Sequence, residues 1–414
     1  MKFLHFLIPI LLFSSVMVSG QPKDKTDDEN YFTQINKLLV DAYKQRDTAK
    51  YSAAMREAIS RYNSFKDDSK INYKSAIANF YYNFACLHSL LGNKEKALTN
   101  IDNAIKNGYI NYTHILKDSD FNILHEDKDF LMLVSRIRSV GDYEYILKNA
   151  EKYNNNDKRE LPHFTYQAYD NPKLISLRKT LNLDSLAGSG NDISKIISLM
   201  HWLHNTVPHD GNHSNPDERN ALSMLNICKK EKRGLNCRGL AIVLNECYLA
   251  MGFKSRFVTC LPKDSLLIDP DCHVINMVYV PSLKKWIWID PTFDAYVMNE
   301  KGELLGIEEV RQRIISGSTL IINPDANWNH MTSQTKDGYL LSYMTKNLYR
   351  LECPVSSEYN YETKEDGKLI SYIQLLPVEY FKQKPDVVTD ETKKTRFVTY
   401  NTNNASLFWA TPEH

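Results

Sequence analysis

The chain has 414 residues, 43% of them hydrophobic and 24% charged, and its 51 lysines and arginines nearly balance 50 aspartates and glutamates. That length and apolar content allow two or three cored domains. A net charge near zero argues against partners held by bulk positive charge, nucleic acid and anionic membrane among them.

Residues 1–20 combine a basic start at Lys2, an apolar run over 3–13 and small residues at Val18 and Gly20, ahead of a polar stretch from Gln21. This is the pattern of a cleaved secretory signal. The apolar run is short for a spanning helix and contains Pro9, so a secreted or periplasmic protein with no membrane span is expected. Seven cysteines (Cys86, Cys228, Cys237, Cys247, Cys260, Cys272 and Cys353) then enter an oxidising compartment, and an odd number leaves at least one thiol unpaired. A Cys260–Cys272 bridge is geometrically possible if their strands run antiparallel.

Over 21–152 the pattern predicts a helical domain, poor in proline and glycine. Its clearest unit, over 81–104, has small residues at Ala85, Ala97 and Ala104 and Gly92 at the turn. It resembles a tetratricopeptide repeat, in which small residues let two antiparallel helices pack closely. The resemblance implies either a groove for a protein partner or a helical cap. With a degenerate helical pair before it (32–62), the cap reading is favoured, because repeat arrays need several units. Tyr153 opens a polar linker, 153–159.

A catalytic domain is expected over 153–330. Ile193, Ile196, Ile197, Met200 and Leu203 mark one helix, and Leu222, Leu225 and Cys228 a shorter one. The polar loop between them carries His204, His209 and His213, which could ligate a metal but are better read as a solvated loop. No paired CxxC spacing occurs, and no metal or cofactor is expected.

After Gly234-Leu-Asn-Cys237-Arg-Gly, the apolar residues Leu240, Val243, Leu244, Cys247 and Met251 recur at helical spacing, with Gly252 as a stop. Cys237 therefore sits in a first helical turn, where free N–H groups and the macrodipole favour a thiolate. Segments 256–260, 272–280 and 286–290 are rich in valine, isoleucine and aromatics and predict three antiparallel strands. With Pro281-Ser282 as the second turn, Val280 faces Leu283 and His273 faces Asp290, so Asp290 can orient the imidazole that serves Cys237. Backbone N–H of Cys237 is one oxyanion donor; Asn236, Trp202 and the 208–213 loop are candidates for a second.

The Gly-Leu-Asn-Cys237-Arg, His273-Val-Ile-Asn-Met-Val-Tyr and Trp-Ile-Asp290-Pro-Thr blocks resemble the three motifs of the transglutaminase-like superfamily, relatives of papain-type proteases, over 191–323. Many members have an aromatic where this chain has Ile275. The resemblance implies an α+β chain: a helical N-terminal domain, then a papain/transglutaminase-like core with the catalytic Cys237 at a helix N-terminus packed on an antiparallel sheet carrying His273 and Asp290. It also implies a protein or peptide substrate. Beyond 331, an α/β extension to 414 is expected, with a helix over 339–351, strands over 369–376 and 396–401, and an apolar anchor at Leu407-Phe-Trp409.

These residues point to a cysteine-dependent enzyme that acts on amides as a peptidase or amidase. A cross-linking acyltransferase and a non-catalytic binding module are the alternatives.

Overall fold

The computed structural model describes residues 27–66, 70–150, 152–154, 160–264, 266, 271–377 and 384–412. The signal segment 1–20 and residues 155–159 of the expected linker lie outside the described residues. The chain divides into two compact units, the first ending at Ile146 and the second beginning at Leu147.

In the first unit, helices α1 (Asp27–Lys44) and α2 (Thr48–Asn63) form one consecutive pair, and α3 (Lys74–Leu90) and α4 (Lys94–Lys106) another. Asp47 caps α2 by accepting the N–H of Lys50, satisfying one of the donors that a helix start leaves unpaired. Gly92, between α3 and α4, has φ +76°, a left-handed conformation that a side chain would strain. Ala85, Ala97 and Ala104 lie fully buried in one apolar core with Phe32, Phe80 and Phe121.

The second unit is organised by a seven-stranded sheet. Its strands are β1 (Ser255–Leu261), β2 (His273–Val280), β3 (Lys285–Ile289), β4 (Arg350–Pro354), β5 (Leu369–Leu375), β6 (Asp386–Thr389) and β7 (Arg396–Thr402), in the order β6-β7-β5-β4-β1-β2-β3. All neighbours are antiparallel except β5 and β7. The expected helix over 339–351 is corrected: a π-helix (Lys336–Met344) and one further turn (Thr345–Asn347) precede β4. In β4, Leu351 and Cys353 are buried while Arg350 and Glu352 are half-exposed, the two-residue alternation of a strand.

The β2–β3 turn also departs from expectation. Val280 pairs with Lys285 and Asn276 with Ile289, so four residues, 281–284, make the turn, with Lys284 at φ +52°. The slip is two residues. Because side chains alternate with a period of two, it leaves every side chain on its expected face. Asp290, just past β3, becomes a diagonal neighbour of His273 instead of its direct opposite.

Helices α5 (Asp192–Thr206), α6 (Ala221–Glu231) and α7 (Cys237–Ala250) complete the core. Every residue of α7 from Gly239 to Ala250 is buried. Leu240, Val243, Leu244 and Cys247 join Val274 and Val278 of β2 in one apolar cluster, each large side chain contributing roughly 1.5–3 kcal/mol of burial. The helix stops where the Phe253 N–H bonds the Tyr248 carbonyl and the Gly252 N–H that of Leu249, with Gly252 at φ +87°. This is a Schellman cap, reinforced by an edge-to-face contact of Tyr248 and Phe253 at 6.3 Å.

Candidate active site

Cys237 is the first residue of α7, capped by Asn236, whose Oδ1 accepts the N–H of Gly239 at 3.1 Å. A Cβ at Gly239 would meet Asn215 Oδ1 at 2.5 Å, so the Asn215 side chain packs where only a glycine leaves it room in this position. The thiol is half-buried at the helix start, where the unpaired N–H groups gather.

His273 opens β2 and is 1% exposed. Its Nε2 lies 2.7 Å from Asp290 Oδ2, which leaves Nδ1 as the ring nitrogen that can serve Cys237. Asp290 is wholly buried, and its carboxylate is saturated. Oδ2 also accepts the Tyr339 hydroxyl at 2.6 Å, while Oδ1 accepts the N–H of Thr292 at 2.9 Å and of Phe293 at 3.4 Å. Trp288 Nε1 donates to the Tyr339 oxygen at 3.1 Å, extending the chain of bonds by one. The rings of Phe293 and Tyr343 meet His273 edge-on, 5.4 and 5.3 Å away, and shield the ion pair from water.

A second histidine bears on the thiol: His209 acts beside His273 to lower the pKa of Cys237. His209 comes from the polar loop after α5, and sequence reasoning named that loop without singling it out. Its place is set by Gly234, where a Cβ would lie 2.1 Å from the Pro208 carbonyl oxygen. The bare backbone lets His209 form a parallel bridge with Leu235, two residues before the thiol. Among the other candidate oxyanion donors, Asn236 uses its Oδ1 twice, for its cap and to accept Asn215 Nδ2 at 2.8 Å, and Trp202 packs against the apolar core. The three histidines do not converge on one point, and His204 lies in the last turn of α5, not in the loop after it. His204 is held by the Pro291 carbonyl and Asn327, and His213 by Asp210 at 2.6 Å.

Burial alone would raise the Cys237 thiol, but hydrogen bonds from His209 and His273 and the charges of both rings outweigh it and bring it down to about 6. Burial likewise works against a charged His273, but Asp290, by charge and hydrogen bond, together with Cys237 carries it up to about 10. Between those values the stable form is a thiolate beside an imidazolium. The other six cysteines go the opposite way. Burial raises Cys86, Cys228, Cys247 and Cys260, Cys272 to about 11 and Cys353 to about 12. All seven are free, so the Cys260–Cys272 bridge is absent. Cys260 stands opposite His273 in the ladder, and Cys272 lies one residue before it.

Behind the nucleophile, Arg238 grips Glu362 through Nε (2.9 Å) and Nη2 (2.6 Å) and reaches Thr259 through Nη1. Glu362, 2% exposed along its side chain, also receives Arg219 at 3.2 Å and the Tyr372 hydroxyl at 2.7 Å. Burial raises its carboxyl, yet the charge and hydrogen bonds of Arg238, the charge of Arg219 and the Tyr372 hydroxyl bring it to about 2. The ion pair ties the first turn of α7 to the segment between β4 and β5.

Residues 179–291 match the family model of the transglutaminase-like superfamily, a span that contains Cys237, His273 and Asp290. The chain thus carries a transglutaminase-like domain within a mixed helix-and-sheet unit. Among solved structures it is similar to a candidate cysteine protease from Cytophaga hutchinsonii, at 20% identity and a TM-score of 0.23, over 28% of this chain and 37% of that one. No curated protein matches.

Proposed function

We propose that the protein is a cysteine-dependent acyl-transfer enzyme that hydrolyses amide bonds, a peptidase or amidase, and that it acts outside the cytoplasm after removal of residues 1–20. The observation that carries the reading is the series Cys237, His273, Asp290, with His273 Nε2 at 2.7 Å from the carboxylate and thiol and ring acting on each other, in a transglutaminase-like domain. A nucleophile, a base and a group that orients the base are the parts that thiol acyl transfer needs.

In this reading the Cys237 thiolate attacks the carbonyl carbon, and the π pair moves to oxygen. The imidazolium of His273 gives its proton to the leaving nitrogen, the C–N bond breaks, and a thioester remains on Cys237. Neutral His273 then takes a proton from water as the water attacks, and collapse releases the acid and restores the thiolate–imidazolium pair. Asp290 stays ionised throughout and holds the ring in one orientation.

Iodoacetamide alkylation at each cysteine against pH, followed by peptide mass spectrometry, tests the site. Cys237 is expected to react far faster than the other six below pH ~8, with an inflection near 6 that moves up or vanishes in His273→Ala. A Cys237 no faster than its buried neighbours would end the enzyme reading. Hydrolysis is tested by following casein with a primary amine present. New N-termini are expected, and amine conjugates dependent on Cys237 would overturn hydrolysis in favour of cross-linking.

A further inference from the structure

His209 is held more tightly than a loop residue needs to be. The Asp210 N–H donates to the Leu235 carbonyl at 2.8 Å and the Leu235 N–H to the Pro208 carbonyl at 3.2 Å, which leaves the N–H and carbonyl of His209 itself on the other side. Both are taken by one side chain: Asn329 Oδ1 accepts the His209 N–H at 2.7 Å, and Asn329 Nδ2 donates to its carbonyl at 2.9 Å. Trp328, beside Asn329, brings its ring to 6.4 Å from the imidazole. Four hydrogen bonds to this backbone and a ring contact thus fix an imidazole that is bridged to Leu235, two residues before the reacting sulfur, and acts on it. His273 already supplies the base, with Asp290 behind it. His209 has no carboxylate partner among the hydrogen bonds of the site, so a second base is not what this geometry offers. It offers a fixed N–H donor.

Building on the proposed thiol chemistry, we infer that His209 is a catalytic residue that completes the oxyanion hole of Cys237. In the free enzyme its ring, with its N–H, stands beside the thiolate. When sulfur bonds to the carbonyl carbon, the thiolate becomes a neutral thioether and a weak acceptor, while the π pair leaves a full charge on the carbonyl oxygen. The same N–H turns to that oxygen beside the backbone N–H of Cys237, and no proton changes hands at His209. The donor strengthens as charge develops, which lowers the barrier instead of merely binding substrate.

Two small probes separate this role from a structural one without knowledge of the natural substrate. Alkylation by iodoacetamide needs the thiolate and forms no oxyanion, whereas acylation by p-nitrophenyl acetate passes through one. Both are read at Cys237 by mass spectrometry, at pH high enough for the thiol to be fully ionised in every variant. His209→Ala is expected to keep the limiting alkylation rate within about threefold of wild type and to lower acylation by on the order of tenfold or more. His209→Gln, which retains an N–H donor, is expected to recover most of that loss. Equal loss of both reactions, or loss of neither, overturns the role of His209 while the thiol site stands. A wild-type Cys237 inert to both probes overturns the enzyme reading and this inference with it.

Discussion

Glu362→Gln removes a buried charge while keeping the shape and one acceptor. The carboxyl is held at about 2 against an ordinary 4.5, and at about 1.4 kcal/mol per pH unit that gap is worth about 3 kcal/mol. The folded value is depressed, so the stabilisation is complete above pH ~4.5 and is lost as pH falls through about 2. Glu362→Gln should therefore cost the second unit about 3 kcal/mol at neutral pH, where it also strips the Arg238 guanidinium of its counter-ion. The gap from wild type should close as both are taken toward pH 2. All five tryptophans (Trp202, Trp286, Trp288, Trp328 and Trp409) lie beyond residue 147, so denaturant unfolding followed by tryptophan fluorescence reports this unit alone. A cost below about 1 kcal/mol at neutral pH, or one that does not shrink in acid, would refute the reasoning and put the pair in the class of exposed ion pairs.

Turnover of an amide should be bell-shaped in pH, rising through about 6 as the Cys237 thiolate forms and falling through about 10 as His273 loses the proton its leaving group needs; alkylation should show the rising limb only. Asp290→Asn offers one acceptor oxygen where four donors now converge. If the backbone N–H groups of Thr292 and Phe293 hold that oxygen, the amide NH2 faces His273 and Tyr339. The inflection of Cys237 alkylation should then rise above 6 and amide turnover fall by on the order of a hundredfold or more; an unchanged inflection would remove Asp290 from the proposed role. Gly234→Ala places a Cβ against the Pro208 carbonyl oxygen at 2.1 Å, and by separating His209 from Leu235 should slow acylation in the manner of His209→Ala, with a cost of about 2 kcal/mol in denaturant unfolding.

The legible parts of the second unit were those written in local periodicity. The helix from Cys237, its stop at Gly252 and strands β1 to β3 follow from spacing of apolar residues over one short stretch each. The hairpin register differs by two residues from the one Pro281-Ser282 suggests, because turn length depends on whether Leu283 and Lys284 join the loop, and nothing in Pro281-Ser282 decides that. The difference does little harm, since the shared face of His273 and Asp290 survives an even slip. Less legible were the groups that arrive from far along the chain. Tyr339 sits on a π-helix, whose periodicity differs from the helical template, and it reaches Asp290 across 49 residues. His209 is positioned by what Gly234 lacks and by Asn329 120 residues later, and no window of sequence contains that arrangement. β4 was hidden because its alternating residues overlap the tail of an apparently helical pattern.

The location of β4 bears on how the protein is made and cut. The matched domain ends at residue 291, yet β1 has on one side only β2, and on the other the strand Arg350–Pro354. A fragment stopped at 330 would present the edge of β1, with Val258, Cys260 and Leu261 in it, as an open template for pairing between chains. It would also lack Tyr339, one of the donors on Asp290. On the ribosome the same order holds: Cys237, His273 and Asp290 emerge well before the strand that covers β1 and the hydroxyl that completes the carboxylate's shell. Assembly of the site is thus deferred until nearly the whole chain has been synthesised, and expression plasmids that follow the family boundary should yield aggregates where the full chain yields a folded protein.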